Sequence, residues 1–175
     1  MTTEQARQWH GMYEGVVVSA EDLTRVGKLK VRVPEVLGDA HVWVASPTPL
    51  AGSDCGMYVV PPPDSGVWVQ FLDGDPERAV CVGFRRGGPG DVPSAAKSAP
   101  PGVPQIVLAT PSGNALVISD VPGPNGGIKL QLHGEEGPFI KIDETSIEIS
   151  CGSELATIRL SGPEVRVNRD ALTVL

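Results

Sequence analysis

Few residues in this 175-residue chain combine the types and spacing that chemistry requires. Ser53 and Asp54 with His41 supply a hydroxyl, a carboxylate and an imidazole. No Gly-x-Ser-x-Gly elbow presents that hydroxyl, however, and His10, His41 and His133 lack metal-ligand spacing. Asp73-Gly74-Asp75 has the start of a calcium loop without the remaining ligand positions, and reads as a hairpin turn. Glu135-Glu136 reads as a solvated turn, because paired-carboxylate glycoside chemistry needs a cleft that nothing here builds. Cys55, Cys81 and Cys151 are odd in number and form no CxxC pair, so they read as small, mostly buried thiols. The expectation is a protein that is not an enzyme, with no catalytic residues, no metal and no cofactor.

Charge excludes another class. The formal net charge is −7 and the isoelectric point about 4.9, whereas a nucleic-acid binder needs a basic face. The single basic stripe in the N-terminal half is Lys28, Lys30 and Arg32, and aromatic residues are 5% of the chain. No apolar run is long enough to span a bilayer, and no basic start leads into an apolar segment as in a secretory signal. The cysteine usage suits a reducing cytoplasm. Gly 21 and Pro 17 exceed average usage, which favours a turn-rich β protein over a helical bundle.

The elements that would position any site are short strands. Thr2 and Gln5 have capping-box spacing, which predicts a helix over Thr2–His10, either a docking segment or a frayed end. From Tyr13 the period becomes two. Strands are expected at Tyr13–Val18, Gly27–Pro34, His41–Ala45, Gly66–Leu72 and Ala79–Phe84, with Trp43 and Trp68 alternating like core residues. Asp73-Gly74-Asp75-Pro76 reverses the chain between the last two. Five strands in so short a span suit a small closed barrel, residues 13–88, after an N-terminal segment, 1–12. Residues 89–104 hold five prolines and read as a linker that neither pairs nor packs.

Residues 105–175 carry a repeat. Aliphatic pairs at i, i+2 recur as Ile128/Leu130, Ile140/Ile142, Ile147/Ile149, Ile158/Leu160, Val165/Val167 and Leu172/Val174. Lys129, Lys141, Glu148, Arg159 and Arg166 sit between the members of the first five pairs, and Gly, Pro, Asn and Asp separate the pairs. Each strand thus has one apolar side. A single ladder of such strands leaves that row facing water, because each repeat buries too little to offset its ordering. Three ladders around one axis would cover it, with Ile128, Leu130, Ile140, Ile142, Ile147, Ile149, Ile158, Leu160, Val165 and Val167 as the core. The alternative is a second small sandwich folded back on itself.

These residues together resemble a known family. Gly15-Val16-Val17, Gly27-Lys28-Leu29-Lys30-Val31-Arg32-Val33-Pro34, Trp43-Val44-Ala45-Ser46-Pro47, Pro61-Pro62-Pro63, Gly66-Val67-Trp68-Val69 and Phe71-Leu72-Asp73-Gly74-Asp75-Pro76 follow the order seen in the OB-fold domain of phage baseplate assembly protein V and the VgrG spike. The part from Thr110-Pro111-Ser112-Gly113-Asn114 onward is similar to the trunk of the same spikes. The resemblance implies an all-β chain: a five-stranded OB-fold barrel, then a homotrimeric, triple-stranded β-helix.

It also implies a role as the central spike of a contractile phage tail, a trimeric needle that helps pierce the host envelope. Its location would be the virion baseplate, after assembly in the bacterial cytoplasm. A hub protein would hold the N-terminal side, and a PAAR-type tip protein would sit at the other end. Leu172, Val174 and Leu175, an apolar strand end without a taper, are the expected tip contacts. Contact with the host envelope would be transient, and no nucleic acid is expected. No lysozyme domain interrupts the chain and no His-x-His motif lies near its end, so neither a hydrolase nor an apical iron is carried over. Two alternatives remain: a VgrG-like spike of type VI secretion or of an extracellular contractile injection system, and an OB-fold ligand-binding module.

Overall fold

The computed structural model describes residues 8–153, 155–169 and 171–174. The chain divides into two compact units, 1–89 and 90–175. The residues of the expected N-terminal helix before Gln8 lie outside the described residues, and Gln8 to His10 are not helical.

In the first unit, alternating β-branched residues build β1 (Met12–Ser19), β2 (Leu29–Arg32), β3 (His41–Val44), the short hairpin β4 (Ala51–Gly52) and β5 (Cys55–Gly56), β6 (Gly66–Phe71) and β7 (Ala79–Arg85). The main sheet is antiparallel in the order β3-β2-β1-β6-β7. Its two edges meet where Ala45 bridges Val80 and the Cys81 N–H donates to Ala45 O at 3.0 Å. The sheet is therefore closed, and no long edge is left to recruit other strands. Bulges in β1 near Val17 and at Trp68/Val69 supply the bending that closure requires.

Val17, Leu29, Val31, Val33, Val44, Val67, Val69 and Phe71 fill the interior. Trp43 and Trp68 do not join them. Trp43 is 46% exposed and Trp68 half-buried, because both alternate out of phase with the buried valines of their own strands. The alternation holds, but the branched aliphatics take the inner face and the larger rings the outer one. Pro34 does not prolong β2. It opens a single helical turn, α1 (Pro34–Leu37), for which its fixed φ is pre-organised, and Val36 and Leu37 pack on the core.

The β6–β7 connection is a 3-10 turn over Leu72–Gly74, with Asp73 and Gly74 both at positive φ. Arg78 pairs with Asp73 at 2.6 Å across it. Gly74 O accepts from Trp9 N at 2.9 Å, and a Cβ on Gly74 would stand 2.9 Å from that same nitrogen. Only glycine lets the N-terminal strap lie this close. The Trp9 ring then meets Tyr13 edge-on, and Tyr13 packs against Phe71.

The second unit begins earlier than expected. Two 3-10 turns, Pro89–Asp91 and Ser94–Lys97, structure the Pro-rich segment, and Gln105 Nε2 donates to Ala96 O at 2.8 Å. Proline prevents strand pairing here, but it does not prevent packing by turns. Eight strands follow: β8 (Gln105–Ala109), β9 (Ala115–Ser119), β10 (Gly127–Gln131), β11 (Phe139–Ile142), β12 (Ile147–Ser150), β13 (Thr157–Ser161), β14 (Glu164–Val167) and β15 (Leu172–Val174). They form one antiparallel meander in chain order. Each inner strand finds both hydrogen-bonding neighbours within its own chain.

The three tryptophans, Trp9, Trp43 and Trp68, all lie in the first unit, so their fluorescence reports the barrel. Leu29 is 1% exposed there, and Leu29→Ala is expected to destabilise the barrel by about 2–5 kcal/mol. Denaturant titration followed by tryptophan fluorescence checks this, and the transition midpoint is expected not to depend on protein concentration.

Candidate functional site

The register of the second sheet sorts its side chains into two faces. On one face, cross-strand partners run Leu108, Leu116, Leu130, Ile140, Ile149, Ile158, Val167 and Leu172 in a single column. Beside it runs Ile106, Ile118, Ile128, Ile142, Ile147, Leu160, Val165 and Val174. Two aliphatic columns thus cross all eight strands without a polar interruption. Leu116 and Val167 are half-buried and the others exposed. Ile149 is 45% exposed and Ile140 43%, whereas the barrel valines are at 0%. Cross-strand aliphatic contact covers the flanks of these side chains but leaves their tips bare.

Every position expected to form a trimer core falls on this face. The face also extends to Ile106/Leu108 and Leu116/Ile118 on β8 and β9, which the sequence reading left out. Their i, i+2 spacing is the same signal, but the long turns around them mask the regular interval seen from Ile140 onward. Leu172 and Val174, expected as tip contacts, continue the same two columns. Leu175 lies outside the described residues.

The opposite face is mostly polar from β10 to β14, whereas β8 and β9 place Val107 and Val117 on it. Lys129, Lys141, Glu148, Arg159 and Arg166 follow one another in register on β10 to β14. Lys129 Nζ sits 5.1 Å from the Phe139 ring centre, and burial, with Lys141 adding to it, pushes its ammonium pKa down. Ser150 is buried and its hydroxyl donates to Gly152 O at 3.0 Å.

Asp143 holds the β11–β12 turn. Its side chain is 2% exposed and pairs with Lys141 at 2.9 Å. One of its oxygens accepts from Thr145 N, Thr145 Oγ1 and Ser146 N. The Thr145 hydroxyl and Lys141 are the main causes that hold this carboxyl well below its ordinary value. In the barrel, Asp22 does a similar task for its loop. It accepts from the Thr24 hydroxyl and from the N–H groups of Thr24, Val26, Gly27 and Lys28, and its pKa is held at about 2.

The residues considered for chemistry are exposed and lie on separate elements. His41 is exposed on β3, Ser53 and Asp54 are exposed in the β4–β5 turn, and Glu135 and Glu136 are exposed in the β10–β11 turn. Among the described residues, no group of three or more His, Cys, Asp or Glu is placed to hold a metal ion. The cysteines correct an expectation: all three are free thiols, but only Cys81 is buried, which pushes its pKa up. Cys55 and Cys151 are exposed because each sits where a short strand meets a turn.

Comparison with known families gives two matches. Residues 13–85 match the type VI secretion system/phage-baseplate injector OB domain, and residues 105–173 match the phage baseplate V C-terminal trimerisation domain. A search of curated proteins finds no match.

Because Asp143 is more acidic folded than unfolded, the stability it contributes is fully present above its unfolded value of about 3.8 and is lost as pH falls below it. Asp143→Asn is expected to lower the thermal midpoint of the second unit at neutral pH, as read by far-UV circular dichroism. The gap between variant and wild type is expected to narrow progressively below pH ~4.

Proposed function

Because the chain belongs to the phage baseplate assembly protein V and VgrG-like spike family, and so has a spike-like structural role as a homotrimer, we propose that it is the central spike of a contractile phage tail. The observation that supports this reading best is the unbroken aliphatic face of β8 to β15. In this reading three sheets turn that face toward a common axis as the sides of a β-helical rod. Ile128, Leu130, Ile140, Ile142, Ile147, Ile149, Ile158, Leu160, Val165 and Val167 line the dry interior. The newly recognised Ile106, Leu108, Leu116 and Ile118 extend it to the start of the sheet.

The mechanical logic follows from this arrangement. A closed rod whose backbone groups are paired and whose interior is aliphatic resists bending, because yielding exposes many side chains at once. Such a rod suits a needle that helps to breach a host envelope under an axial push, with only transient contact. The net charge of −7 favours a shaft that stays soluble before use. A hub protein on the N-terminal side and a PAAR-type tip at the far end, against Leu172, Val174 and Leu175, complete the reading. Its place is the virion baseplate, after assembly in the bacterial cytoplasm. A spike of type VI secretion or of an injection system is the second reading, and the breadth of the matched OB family supports it equally.

Ile149→Asp is the test. It would put three carboxylates together in an aliphatic interior, where none finds a partner. Multi-angle light scattering is expected to give a trimer for the wild type and loss of the trimer for the variant. Tryptophan fluorescence should show the barrel still folded in the variant. A variant that stays trimeric and heat-stable would remove Ile149 from the interior and overturn the arrangement.

A further inference from the structure

The barrel buries its core, yet one side of it is apolar and bare. The β1–β2 loop and the chain on either side of the β4–β5 hairpin enclose a hollow of about 430 Å³. Val26, Leu50, Met57, Tyr58 and Val59 line it, and among the described residues Asp54 is the only charged one that does. Val60 follows them, and Tyr58, Val59 and Val60 are each more than half exposed. A surface so poor in charge has the composition of an interface centre rather than of a solvated loop.

This ledge is held in place before anything covers it. Asp22 accepts from the N–H groups of Thr24, Val26, Gly27 and Lys28, which fixes the loop that carries Val26 and Leu23, the latter 98% exposed. Thr48 Oγ1 donates to Leu50 O at 3.0 Å and to Met57 O at 2.9 Å, tying the two sides of the hairpin together. Preformed apolar surface loses little conformational entropy on contact.

Two observations choose the occupant. Among the described residues, the backbone groups of Tyr58, Val59 and Val60 make no hydrogen bond, but Pro61-Pro62-Pro63 follow directly and have no N–H to offer. An added strand would soon run out of pairing groups, so side-chain contact with a folded surface fits better than strand addition. Residues 86–104 join the barrel to β8 of a trimerising sheet, so three barrels are held near one another at an effective concentration on the order of millimolar. A ledge this small would not join free proteins, for which about 20–30 residues a side are usual, but it suffices between tethered ones.

We propose that in the trimer each barrel lays this ledge against the barrel of the next copy of the same chain. A threefold ring closes such head-to-tail contacts, so no ledge is left to recruit further copies. The contact rests on the homotrimer and adds to it a second interface, made by the barrels and not by β8 to β15.

Cys55 is the reporter, since its thiol is exposed in the single chain and lines the hollow. Alkylation of the full-length trimer by iodoacetamide, followed at Cys55 by peptide mass spectrometry, is expected to be slow. Val59→Asp and Val26→Asp each put a carboxylate into the contact. Both side chains are exposed, so the barrels are expected to stay folded by tryptophan fluorescence. Both variants are expected to remain trimers by light scattering, because β8 to β15 are untouched, and to speed Cys55 alkylation by about tenfold or more as the barrels part. A carboxylate beside a thiol raises its pKa and by itself slows alkylation, so the charge alone does not produce that gain. Cys151, in the second unit, should react at the same rate in all three proteins. A wild-type trimer in which Cys55 reacts as fast as in both variants overturns the proposal and leaves the assembly reading standing. A monomeric wild type overturns the assembly reading and this proposal together.

Discussion

An aliphatic face that its own chain does not cover is the constraint on which the rest of this structure depends. The barrel shows what a finished core looks like here: Val17, Val31, Val67 and Val69 have no exposure at all. The second unit uses the same residue types and the same alternation, yet Ile140, Ile149 and Ile158 keep more than two fifths of their surface in water. A closed sheet curls around its own interior, whereas a meander of eight strands in chain order has no second layer. Covering these side chains is worth roughly 1 kcal/mol or more each, since full burial of such a side chain contributes about 1.5–3 kcal/mol. Summed over two columns, that drive is large beside the marginal stability of an ordinary domain.

The same meander explains why association, once it occurs, is a matter of faces. Backbone groups of β9 to β14 are already paired within the chain. Copies therefore need to bring together only side chains, and non-directional burial tolerates small adjustments between them. Directional interactions are kept for the turns. Asp143 and Asp22 each gather donors from their own loop, fixing the chain reversals that set register. Register in turn decides which face is aliphatic, because a slip of one residue would send every isoleucine to the polar side.

Much of this was legible in the residues. Strict alternation in Leu29, Val31 and Val33, and the doublets from Ile128 onward, placed the barrel strands and the apolar face. What misled was phase and context. Trp43 and Trp68 alternate as core residues would, but periodicity cannot say which of two faces turns inward, and the neighbouring valines took that side. Pro34 ends a strand in either reading, and only the packing of Val36 and Leu37 selects a helical turn after it. The Pro-rich stretch packs through 3-10 turns that have no period to detect.

A cryo-electron microscopy reconstruction of the full-length protein tests the central claim most directly. The account predicts a threefold rod with the side chains of Ile140, Ile149 and Ile158 at its axis and those of Lys141, Glu148 and Arg159 on its outer surface. A single-chain particle, or a trimer whose aliphatic columns face solvent, would contradict it.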